Sequence, residues 1–114
     1  MNTTMTGREG EALAAEYLRK KRYAVIGANY RCRFGELDLI AQKRELVIFV
    51  EVKLRHDDRF GTAAEAVTAS KQEKLRKAAA SWLASHDCTA PTRFDVIELY
   101  TGTGRINHIE NAFE

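Results

Sequence analysis

The sequence has 114 residues, 45% of them hydrophobic, enough apolar material for one compact domain spanning residues 1–114. Charged residues make up 30% of the chain, yet the net charge is only +2, so any basic surface must come from local clustering. Two cysteines, Cys32 and Cys88, exclude a disulfide framework and offer no paired thiolates for zinc.

No stretch nears the roughly 18 apolar residues of a membrane span. The N-terminal MNTTMTGREGE also lacks the apolar segment of a signal peptide. A cytoplasmic protein with no membrane partner is expected.

In chain order, Thr6 and Glu9 form a capping box for a helix over residues 7–21, with Gly10, Ala14, Tyr17, Leu18 and Lys21 on one stripe. YAVIGANYR and GELDLIA read as strands, and a polar turn near Lys43 to Glu45 leads to a third, LVIFVEVKLR. Val47 to Val50 are apolar on both faces, as in a strand covered on both sides. HDDRFGTAAEAV reads as loop, and residues 70–85 as a helix with Leu75, Ala78, Ala79 and Trp82 on one side. After Pro91, RFDVIELY is a fourth strand, and RINHIENAF a weak last strand or a tail. The order α-β-β-β-α-β predicts an α/β fold, a mixed sheet flanked by helices, with a parallel crossover through the second helix.

Strand alternation puts Glu36, Asp38 and Ile40 on one face and Leu37, Leu39 and Ala41 on the other. If Arg44 and Glu45 are the central pair of the hairpin turn, Asp38 lies opposite Glu51 and Glu36 opposite Lys53. A register two residues shorter brings Glu36 opposite Glu51 instead. Opposed like charges destabilise a sheet, and burial makes them costlier. A solvated cross-strand charge pair is the plain explanation of such a pattern. The apolar run before Glu51 and the acids opposite it favour a divalent cation, which removes the repulsion. Magnesium takes one or two carboxylates, a main-chain carbonyl, waters and a substrate phosphate. Lys53 projects the same way as Glu51, where it can stabilise charge developing on phosphorus.

GELDLIA and FVEVKLR together resemble the D…ExK core of the restriction-endonuclease-like, or PD-(D/E)xK, nuclease superfamily. GREGEALAAEYL, GANYRCRFGELDLIA, VIFVEVKLR, AVTASKQEKL and RFDVIEL, in this order over nearly the whole chain, resemble the YraN-like bacterial family. That family is similar to archaeal Holliday junction resolvases. The resemblance implies a restriction-endonuclease-like α-β-β-β-α-β core and a Mg²⁺- or Mn²⁺-dependent endonuclease hydrolysing DNA phosphodiester bonds at branched or distorted structures. It also implies that Asp38 and Glu51 are catalytic metal ligands, that Val52 lends its carbonyl, and that Lys53 is the catalytic lysine. Leu37 stands where the superfamily's nominal motif has proline.

Glu11 falls at the edge of the first helix's apolar stripe, about 60° from Ala14, and the resemblance implies that it helps hold the metal. Lys71 shares the stripe of Leu75, Ala78 and Trp82, so it either snorkels past the core or aims a second cation at the acids. Arg31, Arg33, Arg55 and Arg59 flank the acidic strands and can track a phosphate backbone. Asp95, within an apolar strand, is expected to pair with Arg93 or another basic group, while His86 and His108 have no evident partners. A small nuclease core has too little surface for both arms of a branched duplex, which favours a homodimer. The alternative reading is a catalytically silent nuclease-fold module that binds nucleic acid or a protein.

Overall fold

The computed structural model describes residues 5–56 and 67–114. The Thr6 hydroxyl accepts the Glu9 N–H at 3.1 Å and starts helix α1 (Gly7–Lys20) where the capping pattern predicts. Strands β1 (Ala24–Cys32), β2 (Gly35–Lys43) and β3 (Leu46–Arg55) follow as an antiparallel meander. Helix α2 (Ala69–Ser85) then crosses over to β4 (Thr92–Tyr100), which runs parallel to β3, and β5 (Arg105–Phe113) returns antiparallel. The result is a mixed sheet in the order β1-β2-β3-β4-β5. A parallel neighbour cannot be reached by a tight turn, which is why a helix intervenes between β3 and β4. Most of the loop expected between β3 and α2, including Arg59, lies outside the described residues.

Both faces of the sheet are covered. Val47 and Phe49 pack with Leu75, Ala78, Ala79 and Trp82 of α2, whereas Ile48 and Val50 pack with Ala14, Ala15 and Leu18 of α1. This double cover accounts for the unbroken apolar run in β3. Helix α1 seats closely through Gly10, where an added Cβ would stand 2.6 Å from Leu54 Cδ2 and 3.3 Å from Leu99 Cδ1.

Two expectations need correction. RINHIENAF is a full strand at the edge of the sheet, and its polar look comes from a bulge. Pairing passes from Val96↔Ile109 to Phe94↔Phe113, with Asn111 in the left-handed region at φ 51°. The second correction concerns β2. Leu39 and Ala41 join the α1-side core, but Leu37 joins Ile40 on the α2 side, so alternation fails at Asp38.

Asp95 is 1% exposed and fully engaged. Arg93 forks onto it at 2.7 and 2.8 Å, His108 Nε2 lies 2.7 Å from Oδ2, and the Asn111 N–H donates to Oδ1 at 3.0 Å. The expected Arg93 pair is therefore present, and His108 has a partner that its sequence position does not reveal. Burial alone would raise the Asp95 pKa, but the hydrogen bonds from His108, Arg93 and Asn111 outweigh it and hold the carboxyl below its ordinary range.

Replacing Asp95 by asparagine is expected to cost roughly 3–5 kcal/mol, because Arg93 and His108 lose the buried carboxylate that both engage and Arg93 keeps only the exposed Glu110 as an acidic neighbour. The depressed pKa gives a stabilisation that is present above the unfolded-state value of about 3.9 and lost as pH falls through the folded one. Urea denaturation at neutral pH should show the full difference, and the two proteins should converge in acid.

Candidate metal centre

The β2–β3 hairpin keeps the expected register from Lys43↔Leu46 to Leu39↔Val50, with Arg44 at φ 57° in the turn. Asp38 would next meet Glu51, but the ladder stops. Instead Asp38 Oδ2 accepts the Val52 N–H at 2.8 Å, so a side chain takes the place of a backbone partner. On the other side of β2, pairing passes from Ala28↔Leu39 to Tyr30↔Leu37 and skips Asn29, whose φ is 54°. Asp38 thus sits where both of its strand's ladders let go.

Acids from both faces of the sheet converge on this gap. Glu11 comes from α1, and ligand oxygens of Glu11, Glu36 and Asp38 lie within 4.8 Å of one another. Glu51 lies on the α2 face with Phe49, packed among Leu37, Leu75 and Phe94. Its side chain is 8% exposed, and among the described residues its Oε2 has no hydrogen-bond partner. The Lys71 ammonium approaches that oxygen to 3.9 Å, too long for a hydrogen bond. Thr68 caps α2 by accepting the Lys71 N–H at 3.2 Å and so places Lys71 at the start of the helix, beside the gap.

The electrostatics match this geometry. Burial and then the neighbouring Asp38 push Glu51 up to about 8, against the opposing pull of Lys71 and Lys53. Glu11 is raised by burial, Asp38 and Glu36, while a hydrogen bond from Asn29 and the charge of Arg8 oppose the rise. Lys53 is half-buried and sits in register with Glu98 of β4. Glu98 is fully buried and accepts from Asn107 at 2.6 Å, Tyr100 at 3.3 Å and Arg55 at 3.4 Å.

The arginines divide by exposure. Arg31 is exposed and 3.6 Å from Glu36, and Arg33 lies exposed over the Phe34 ring at 4.7 Å. The Arg55 side chain is only 14% exposed and turns to Glu98.

Sequence reasoning did not single out Glu36 or Asn29 for this site. Glu36 had a signal, since it precedes Asp38 by two residues. Asn29 had none, because its part depends on a left-handed backbone angle. Glu11, Glu36 and Asp38 offer carboxylate oxygens only, a set that suits a hard divalent cation, while Glu51 neighbours Asp38 but lies outside that cluster.

Among the described residues, fold and site define an α/β domain with a five-stranded mixed sheet, two flanking helices and an acidic cluster able to hold a metal where the sheet opens. The chain belongs to the uncharacterised protein family UPF0102, the YraN-like family anticipated from the sequence, and matches it over residues 10–99. It is 44% identical to the UPF0102 protein NE0719 of Nitrosomonas europaea, over 95% of this chain and 92% of that protein. It is 47% identical to a UPF0102 protein of Syntrophomonas wolfei, over 94% and 96% of the two chains. A UPF0102 protein of Geobacter metallireducens is 45% identical, over 95% and 91%.

The folded protein holds the Glu51 proton more tightly than the unfolded chain does. Raising pH from about 4.5 to about 8 in the absence of divalent ions should therefore withdraw stability, fully so above about 8. Glu51→Gln escapes this loss. Urea denaturation in chelator should find parent and variant alike near pH 5 and the variant more stable by roughly 2–5 kcal/mol near pH 8.5.

Proposed function

We propose that this chain is a metal-dependent endonuclease of the restriction-endonuclease-like class that hydrolyses DNA phosphodiester bonds, with branched or distorted DNA as its substrate. The observation that carries the reading is the buried Glu51 carboxylate beside Asp38, with one oxygen unpartnered among the described residues and two lysines nearby. A purely structural acid in such a place would be expected to have its hydrogen bonds satisfied, as Asp95 does.

Glu11, Asp38 and Glu51 would hold Mg²⁺ or Mn²⁺, with Glu36 adjacent and the Val52 carbonyl as a main-chain ligand. Bound there, the ion supplies Lewis-acid polarisation of the phosphate and a more acidic water. Lys53, on the same face as Glu51, places its ammonium where negative charge grows on the phosphate oxygens, an interaction stronger in the transition state than in the ground state. Lys71 adds a second positive group at the scissile phosphate. Arg31 and Arg33 track the backbone on either side of the β1–β2 turn without reading sequence. Two copies of the chain would share the arms of a branched duplex.

Two measurements test this. Mn²⁺ should raise the parent's thermal stability by mass action, and the Asp38→Asn, Glu51→Gln double variant should lose that response. In single-turnover cleavage of linear, flapped and four-way DNAs, Lys53→Met should cut on the order of 10² more slowly while binding DNA nearly as well in Ca²⁺. Equal cleavage by the variant removes Lys53 from the chemistry. A parent that binds these DNAs and cuts none is the silent binding module instead.

A further inference from the structure

A separate cavity of about 380 Å³ is lined by Tyr17, Lys21, Tyr23, Lys43, His108 and Glu110. It lies apart from the acids. Along α1, Tyr17 is about 9 Å beyond Glu11 at ~1.5 Å per residue. Along β2, Lys43 is roughly 17 Å beyond Asp38.

The cations of this cavity are unbalanced. Lys43 Nζ stands 4.6 Å from the centre of the Tyr23 ring, and Lys21 Nζ 6.0 Å from that of Tyr17. Among the described residues neither ammonium has a carboxylate within ion-pair distance. The acid in the lining, Glu110, is already occupied. Its Oε1 accepts from Tyr23 at 3.1 Å and lies 3.5 Å from Arg93 Nη2. Two ammoniums without an ion-pair partner among the described residues thus stand over tyrosine rings, at the edge of a space that the Glu110 carboxylate, engaged by Tyr23 and Arg93, also lines.

The inner wall is a relay. Asp95 accepts the Nε2–H of His108, and the other ring nitrogen, Nδ1, lies 3.1 Å from the Tyr17 hydroxyl. When Nδ1 is unprotonated, Tyr17 must give it the O–H. When Nδ1 carries a proton it donates to the Tyr17 oxygen, and the Tyr17 O–H is released to another acceptor. An anion in the cavity therefore gains a donor in the arrangement that releases the Tyr17 O–H.

We propose that this cavity is a binding site for a phosphate monoester, with the phosphate held by Lys21, Lys43 and the Tyr17 hydroxyl. The volume exceeds that of a bare phosphate and falls in the range of small-ligand sites, which leaves room for the body of the ester. The inference does not depend on nuclease activity or on the metal centre.

Sulfate is the first probe, and calorimetric titration of the full chain should show saturable binding. Lys21→Met with Lys43→Met should weaken binding about tenfold or more. Tyr17→Phe keeps the ring and should weaken binding severalfold. Asp38→Asn should leave binding unchanged. Comparing 5′-AMP with a short 5′-phosphorylated oligonucleotide then tells a free nucleotide from a strand end. No binding, binding untouched by the double lysine variant (an adventitious ion only), or binding untouched by Tyr17→Phe would overturn the proposal.

Discussion

One hydrogen bond organises this protein, the one from the Val52 N–H to the carboxylate of Asp38. A backbone donor in the middle of a sheet must be satisfied, and here a side chain satisfies it in place of the adjacent strand. β2 is thereby released from strict pairing for one step. The strand turns about that point, so that Leu37 enters one core and Leu39 the other. A regular sheet is a wall between its two faces. At Asp38 the wall has an opening, where Glu11, carried by the helix on one face, meets Glu36 and Asp38, and where Glu51 on the other face neighbours Asp38.

The same device occurs a second time with a different outcome. Asp95 also accepts an N–H from a partner strand where pairing slips, that of Asn111. There an arginine fork and a histidine complete the shell, and the carboxyl is held ionised. At the hairpin, Lys71 stops short of hydrogen-bonding distance, and the Glu51 carboxyl holds its proton well into the neutral range. A buried polar atom left without a partner costs about 1–3 kcal/mol. The chain tolerates this because a core packs β3 on both sides. The contrast between a satisfied and an unsatisfied acid separates a structural ion pair from a place suited to chemistry.

Much of this was legible in the sequence because it depends on periodicity. The two-sided apolar run of β3, the stripe of α2 and the cap at Thr6 each set an element, and the turn at Arg44 and Glu45 set the hairpin register. What was hidden depends on backbone angles. Leu37 was expected beside Leu39 because alternation has no means of announcing a break. β5 looked weak because the bulge at Asn111 disrupts its pattern. Glu36 was visible as an acid of the hairpin, but its proximity to Glu11 follows only once β2 bends. Arg55 looked like a surface cation, yet it turns inward to Glu98, a buried acid that β4's apolar run masks.

The two left-handed asparagines have an effect beyond the acids they serve. Asn29 and Asn111 lie on β1 and β5, the two outer strands of the sheet. An outer strand exposes a row of backbone donors and acceptors that can recruit a foreign strand, and proteins blunt this with bulges and charges. β1 is broken at Ile26 by a register shift and at Asn29 by its φ, and β5 is broken at Asn111. Neither edge offers an incoming chain a long straight run to pair with. The bends that bring acids together therefore also guard the sheet against growing by aggregation.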